Sequence, residues 1–169
     1  MAQISKKSFK NSHADKGINL IVRGVITHKN HILLSTTTDY NKEFAKGLYF
    51  LPGGHVDYNE SAIDALKREL LEEMYLPTQK IKFIGALECS WDKKGNIYHE
   101  LNLLYHVQFS NLSLNIPPKS SEPFIQFIWY PIQNLSSCNI LPEQLKPMLQ
   151  EFVKNNDATL FYSQMIQTA

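Results

Sequence analysis

Residues 51–76 read LPGGHVDYNESAIDALKRELLEEMYL and carry the strongest local pattern in the chain. Two adjacent glycines precede a segment with helical periodicity that runs from Ser61 to Met74. Ser61 followed by Asp64 matches a capping box and predicts that the helix begins there. Apolar residues recur at helical spacing and predict the buried face of this helix; they are Ile63, Leu66, Leu70 and Met74.

The same helix concentrates carboxylates. At about 100° per residue, Glu69, Glu72 and Glu73 fall within an arc of roughly 100°. Like charges four positions apart on a helix cost about 0.2–0.5 kcal/mol per pair, and more when they are partly buried. A divalent cation would remove this repulsion, and magnesium prefers oxygen ligands.

A structural explanation of the acidic run is also open. Acidic helical segments are commonly solvated faces, and Arg68 could simply pair with Glu72 on the next turn. Two neighbouring features favour a ligand site instead. The Gly53-Gly54 pair lets the backbone turn sharply and approach a ligand closely, and Glu60 adds a further carboxylate at a fixed distance along the chain.

Elsewhere the sequence predicts several strands and a second helix around this central helix. An apolar pattern rich in β-branched residues predicts the strands, which cover Ile18–Thr27, Ile32–Thr36, Ile81–Trp91, Tyr98–Phe109 and Phe124–Tyr130. A second helix is predicted over Glu143–Asn155, with Pro142 near its start. We expect an α+β layered domain, comprising an N-terminal tail over residues 1–17 and one domain over residues 18–169.

Composition narrows the functional classes. The net charge of +1 gives no support for binding to extended nucleic acid or to a membrane surface. No apolar run approaches the roughly 20 residues that a membrane helix needs. Cys89 and Cys138 form neither a disulfide framework nor a metal-ligand spacing, so we expect reduced thiols and a cytoplasmic location.

The stretch from Gly54 to Leu76 resembles the Nudix box, G-x5-E-x7-R-E-U-x-E-E-x-G-U, where U is a bulky aliphatic residue. The matching positions are Gly54, Glu60, Arg68, Glu69, Leu70, Glu72, Glu73 and Leu76. Tyr75 departs from the pattern because the family has glycine there. That glycine ends the helix with a positive φ, a conformation in which tyrosine is strained. We therefore expect either a longer helix or a different exit turn.

The resemblance implies a Nudix-type α/β/α sandwich with a mixed β-sheet. It also implies a hydrolase that uses Mg²⁺, or alternatively Mn²⁺, to cut a diphosphate bond. By position in the box, Glu69, Glu72 and Glu73 would be catalytic metal ligands, and Arg68 would hold a glutamate in place. The metal surroundings would also include Gly54 and Glu60, together with Glu122 outside the box.

Substrate choice is less well determined by the sequence. Markers typical of ADP-ribose, dinucleoside polyphosphate, coenzyme A and NADH hydrolases are missing from their expected positions. The expected substrates are therefore nucleoside triphosphates or nucleotide-sugar-like compounds, with Tyr49, Trp91 and Glu100 as candidate contacts to them. The alternative function is a catalytically silent Nudix-fold module that binds or senses nucleotides, which Tyr75 favours. Separately, the family tendency to dimerise makes a homodimer possible.

Overall fold

The computed structural model describes residues 17–38, 47–93, 95–155 and 159–165. Within these ranges there are six strands, two α-helices and one 3-10 helix. In chain order they are β1 (Ile18–His28), β2 (His31–Thr37), α1 (Ala62–Met74), β3 (Lys80–Lys93), β4 (Asn96–Gln108), β5 (Ile125–Pro131), the 3-10 helix (Ile132–Ser137), α2 (Leu145–Lys154) and β6 (Leu160–Gln164).

All six strands belong to one mixed sheet with the spatial order β5-β2-β1-β4-β3-β6. β1 is parallel to β4, and β3 is parallel to β6, whereas the other neighbouring pairs are antiparallel. The expectation of an α+β fold with a mixed sheet is thus confirmed. Strand β6 was not predicted, because Leu160–Gln164 is short and only its Leu160 and Tyr162 are partly buried in the core.

A helix packs on each face of the sheet, which makes the fold a sandwich. On the α1 face, Leu66 and Leu70 pack in one buried cluster with Val22 and Ile26 of β1. On the α2 face, a second cluster contains these buried residues: Val25, Ile84, Leu104, Leu145, Met148 and Leu149. Full burial of each such side chain contributes roughly 1.5–3 kcal/mol, so both helices are held mainly by their apolar faces.

A segment between β2 and α1 enters the sheet beside β1. β1 and β2 pair only near their turn, at Thr27–Ile32 and His28–His31. Farther along β1, the backbone bonds instead to residues 52–56: Gly24 N–H donates to Pro52 O (2.8 Å) and Val22 N–H to Gly54 O (2.9 Å). The Gly53-Gly54 turn therefore lies in the gap that opens between β1 and β2.

The start of α1 follows the prediction, since the Ser61 side chain accepts a hydrogen bond from the backbone N–H of Asp64 at 3.1 Å. The predicted apolar stripe is wrong at Ile63, which is 44% exposed, whereas Ala65 is buried. Ile63 belongs to neither apolar cluster, whereas Ala62 and Ala65 on either side of it pack in the cluster on the α1 face. Asn59, just before the helix, adopts a left-handed conformation with φ 64°, which asparagine tolerates better than most residues.

The end of α1 differs from both expectations for Tyr75. The helix ends at Met74, and Tyr75 adopts the left-handed conformation (φ 55°, ψ 24°), with its N–H bonded to Leu71 O. This is the conformation that a glycine would take at a helix C-terminus. Tyrosine occupies it because Ser121 and Leu76 are anchored beyond it: Ser121 N–H donates to Glu73 O (2.9 Å), and Leu76 packs on the α1 face.

None of the helices in the described part of the chain combines the length and apolar character that a membrane crossing requires. The predicted N-terminal tail lies, apart from Gly17, outside the described residues, and the assignment of one domain to residues 18–169 stays a prediction.

The left-handed conformation of Tyr75 leads us to predict that a glycine at this position would make the protein more stable to heat. Replacing Tyr75 with Gly removes the conformational penalty of a left-handed non-glycine residue, which is about 1–2 kcal/mol. It also raises the entropy of the unfolded chain, which opposes this gain by about 0.5–1 kcal/mol. We expect Tyr75→Gly to raise the melting temperature by about 2–4 °C. Tyr75→Ala is the matched control, because it removes the ring but keeps the strained Cβ. Equal melting temperatures for the two variants would contradict the strain.

Candidate active site

The Gly53-Gly54 turn brings two helix carboxylates against the backbone. The Gly53 N–H donates to Glu73 Oε2 at 3.1 Å. A β-carbon added to Gly54 would lie 2.4 Å from the carboxyl carbon of Glu69. A side chain at position 54 is therefore incompatible with this position of Glu69. Gly53 is required for another reason, because it has φ +126° and its added β-carbon would lie 2.1 Å from Val22 O.

Arg68 lies at the centre of the acidic residues and orders them. Its Nε and Nη2 bond the two oxygens of Glu60, each at 2.9 Å, in a bidentate pair. Its Nη1 donates to Glu69 Oε1 at 2.8 Å and to Glu72 Oε2 at 3.4 Å. Its Nη2 also donates to His55 O at 3.1 Å. A planar guanidinium with five donors can fix several acceptors at once, which a lysine cannot do.

These bonds shift the ionisation of both partners. The hydrogen bonds that Arg68 donates to Glu60 and Glu69 raise the pKa of Arg68 above its usual value. The hydrogen bond from Arg68 lowers the pKa of Glu60. Each partner thus favours the charged form of the other.

Glu73 behaves in the opposite way. Burial raises its pKa to about 7, and the negative charges of Glu69 and Glu122 contribute in the same direction. The Gly53 N–H and the positive charge of Arg23 oppose the shift without cancelling it. A carboxylate with a pKa near neutrality, close to two other acids, is typical of a functional site.

Glu122 and Glu72 both lie at the C-terminal end of α1. Glu72 is the most exposed of the box glutamates, with 62% of its side chain accessible. The Ser121 hydroxyl donates to Glu72 O, and the neighbouring Glu122 acts on Glu73 through its charge. The loop before β5 thus brings Glu122 close enough to Glu73 for their charges to interact, and the place of Glu122 at a metal site stays a prediction.

The donor chemistry fits a hard divalent cation, since the site offers carboxylate oxygens that repel one another. Within the described ranges, however, no three Asp, Glu, His or Cys side chains already converge on one metal position. The reason lies in Arg68, which draws Glu69 and Glu72 towards itself. A cation would compete for these oxygens, and Glu69 and Glu73 are the pair closest to the glycine turn.

The candidate substrate contacts lie in two places. Trp91 Nε1–H donates to Glu100 Oε1 at 2.9 Å, so these two predicted residues lie together on the α2 face of β3 and β4. Tyr49 is located elsewhere: its ring packs on Tyr130 at 5.5 Å, and its backbone bonds to residues 139 and 141.

Arg23 and Asn102 also belong to this region, although neither was predicted from the sequence as a site residue. Arg23 donates to Asn102 Oδ1 at 3.3 Å and to Leu51 O at 3.2 Å. A signal existed for both, because each is a polar residue inside an otherwise apolar strand: Arg23 in INLIVRGVI and Asn102 in ELNLLY. Polar side chains at such positions need buried partners, which commonly belong to a site.

The family model described as NUDIX domain matches residues 18–154, which is most of the chain. The chain belongs to the Nudix hydrolase family. The resemblance drawn from the box is thereby confirmed, and Tyr75 is a substitution within a true family member.

Sequence relatives include two proteins named 8-oxo-dGTP diphosphatase. One, from Buchnera aphidicola subsp. Schizaphis graminum (strain Sg), is 33% identical over 96 residues, covering 50% of this chain and 72% of that protein. The other, from Buchnera aphidicola subsp. Acyrthosiphon pisum (strain APS), is 39% identical over 57 residues, covering 33% of this chain and 46% of that protein.

Solved structures share the fold of this Nudix protein. A MutT protein from Bacillus halodurans superposes with a TM-score of 0.68 at 14% identity, covering 89% of this chain and 91% of that chain. A MutT protein from Methanosarcina mazei Go1 gives 0.63 at 19% identity, covering 85% and 98%. At these identities the likeness is one of fold.

The two glycines yield a matched pair of predictions. Gly54→Ala places its Cβ against the flexible end of Glu69, which can swing away, so the protein should fold with Glu69 displaced. Gly53→Ala places its Cβ against the fixed backbone of β1 at a positive φ, so folding should be severely weakened. Thermal unfolding of both variants is the measurement. A Gly54→Ala protein as unstable as Gly53→Ala would contradict this difference.

The ionisation of Glu73 predicts a pH dependence of stability without metal. Its folded pKa of about 7 exceeds the ordinary 4.5, so between these values only the unfolded state loses the proton. The stabilising contribution is therefore complete below pH 4.5 and is lost as the pH rises through 7. Between pH 5 and 8 in EDTA, we expect the wild type to lose about 3–6 °C more in melting temperature than Glu73→Gln. Parallel pH profiles for the two proteins would contradict this assignment.

Proposed function

We propose that this Nudix protein hydrolyses a diphosphate bond in a nucleoside triphosphate, with water as the attacking group and a divalent cation as cofactor. The observation that carries the proposal is the convergence of Glu69 and Glu73 on the Gly53-Gly54 turn, with Arg68 fixing the surrounding acids. This arrangement places negative oxygens beside a backbone that admits close approach of a ligand.

In this proposal the cation is held by Glu69, Glu72 and Glu73, and Gly54, Glu60 and Glu122 complete its surroundings. Mg²⁺ is the expected ion and Mn²⁺ the alternative, since both accept carboxylate oxygens. When bound, the ion supplies neutralising charge for the diphosphate and lowers the pKa of a coordinated water.

Arg68 acts as a positioning residue in this scheme. It bonds both oxygens of Glu60 and one oxygen of Glu69, so its loss would leave two acids free to rotate. Glu73 has a raised pKa and a fixed hydrogen bond to Gly53, which suits it to release a proton near neutral pH when positive charge arrives.

The substrate class is drawn from the relatives. Two of them are named for the hydrolysis of 8-oxo-dGTP, and this supports a nucleoside triphosphate over a nucleotide sugar. We therefore place dGTP and 8-oxo-dGTP first among the substrates to be tested. A nucleotide-sugar-like substrate remains the expected outcome if triphosphates are not turned over.

The alternative of a silent nucleotide-binding module was favoured only by Tyr75, the one residue that departs from the box. Tyr75 takes the backbone conformation of the family glycine, and its side chain points to solvent with 71% exposure. The substitution therefore leaves the arrangement of the acids unchanged, and we favour the enzyme.

The test is a hydrolysis panel run with Mg²⁺, with Mn²⁺ and with EDTA. It contains the four deoxynucleoside triphosphates, 8-oxo-dGTP, ADP-ribose and a UDP-sugar, and chromatography identifies the products. Release of pyrophosphate with a monophosphate would locate the cleavage between the α- and β-phosphates. A folded protein that cleaves no compound in the panel with either metal would overturn the proposal.

Variants of the acids test the assigned roles. Glu73→Gln keeps the shape of the side chain and removes its charge, so kcat/KM should fall by about 10²-fold or more. Glu72→Gln should behave similarly. Glu143→Gln is the control, because Glu143 is an exposed acid near the start of α2 and away from the box. Loss of activity only in the control, or in all three variants equally, would refute the assignment.

A further inference from the structure

A buried polar cluster lies on the α2 face of the sheet. All its members belong to strands. It consists of Arg23 on β1 and of Glu100 and Asn102 on β4. Asn102 is fully buried and Glu100 is 9% exposed. A carboxylate and an amide at this depth cost free energy unless bonded, so their presence calls for a specific role.

Among the described residues, Trp91 and Asn102 donate to Glu100, and these two bonds satisfy its carboxylate only in part. Its Oε1 accepts from Trp91 Nε1–H at 2.9 Å, and its Oε2 accepts from Asn102 Nδ2–H at 3.4 Å. An ionised carboxylate offers about four lone-pair sites. Each oxygen of Glu100 therefore keeps capacity for one more donor, and the two oxygens lie side by side.

An aromatic pair borders the same carboxylate. Trp91 on β3 stacks on Tyr98 on β4, with ring centroids 4.5 Å apart and planes 13° from parallel. Trp91 is 37% exposed and Tyr98 38% exposed, so part of this aromatic pair is open to solvent. Stacked aromatic side chains of this kind are common platforms for nucleobases.

The cluster is connected to the acids of the box. Asn102 accepts from Arg23, and Arg23 donates to Leu51 O, three residues before Gly54. The charge of Arg23 interacts with Glu100 at one end and with Glu73 and Glu69 at the other. Arg23 pairs with Leu104 on β4, and Glu100 lies four residues before Leu104. The distance from Glu100 to the level of Arg23 is therefore about 13 Å along the strand. An extended nucleotide can span such a distance.

We propose that Glu100, beside the Trp91–Tyr98 stack, recognises the guanine base of the substrate. The inference rests on the proposed function for the placement of the phosphates at the box. Two adjacent carboxylate oxygens accept from two adjacent N–H donors. Among the common bases, only guanine presents two such donors side by side, on N1 and on its 2-amino group. Adenine and cytosine place a ring acceptor beside the amino group, and thymine has a single N–H between two carbonyls.

This edge is the same in guanine and in 8-oxoguanine, because oxidation changes the opposite side of the purine. Glu100 therefore selects guanine bases over other bases and does not distinguish the oxidised form from the ordinary one. Any preference for 8-oxo-dGTP over dGTP must come from other residues.

The first test changes the ligand and leaves the protein intact. Deoxyinosine triphosphate lacks only the 2-amino group of dGTP, so it loses one donor to Glu100. For the wild type we expect kcat/KM, and calorimetric affinity with Mg²⁺ present, to be about 10- to 100-fold lower for dITP than for dGTP. Equal values for the two nucleotides in the wild type would overturn the inference.

The second test changes the protein. Glu100→Gln keeps an acceptor for Trp91 but replaces one oxygen by a donor, so the dGTP-to-dITP ratio should fall close to one. The loss should be equal for dGTP and 8-oxo-dGTP. Glu88→Gln is the matched control: Glu88 lies on β3, on the opposite face of the same strand pair, bonded to Ser163 and His99. Its ratio should stay at the wild-type value, and a merely structural role of Glu100 would leave the ratio intact.

These outcomes separate the two proposals. Metal-dependent turnover of nucleotides without discrimination between dGTP and dITP would overturn the role of Glu100 while the proposed function stands. Selective binding of dGTP over dITP that Glu100→Gln removes, with no turnover of any nucleotide, would overturn the proposed function and leave the recognition by Glu100 in place.

Discussion

The guanidinium of Arg68 is the interaction on which the site depends. One side chain bonds Glu60, Glu69 and Glu72, and it also bonds the backbone of His55. Without a positive charge at this point, Glu60, Glu69, Glu72 and Glu73 would repel one another and the last turns of α1 would be destabilised. Arg68 thus joins the loop before the helix to the last turns of the helix, and it sets the starting positions of the acids.

A second constraint is the passage of residues 49–56 through the gap between β1 and β2. The helix α1 packs on one face of the sheet, whereas Arg23, Asn102 and Glu100 belong to the other face. The Gly53-Gly54 turn lies where the two faces communicate, because it bonds to β1 on one side and to Glu73 on the other. Acids on one face can therefore act on a ligand that lies along the opposite face.

Polar groups in the core follow one line across the sheet. They lead from Leu51 O through Arg23 and Asn102 to Glu100 and Trp91. Each member is bonded to the next, which limits the desolvation cost of burying it. Apolar residues of the same size would pack at lower cost. The strands here give up some stability for a set of oriented donors and acceptors.

The amino-acid sequence predicted the helix that follows the Ser61 cap and ends at Met74, five of the six strands of the described residues, and the family. Capping, periodicity and box spacing are local properties of the chain, so they can be read without the fold. The sequence also named the acids of the box. The tertiary structure decided that Ile63 is exposed, that Tyr75 keeps a left-handed exit, and that β6 completes the sheet. It alone brought Arg23 to Asn102 and Glu100, since Arg23 lies 79 positions before Asn102 and reaches it only through the parallel pairing of β1 with β4. Spacing along the chain cannot express such a contact, because strand order depends on how the whole core packs.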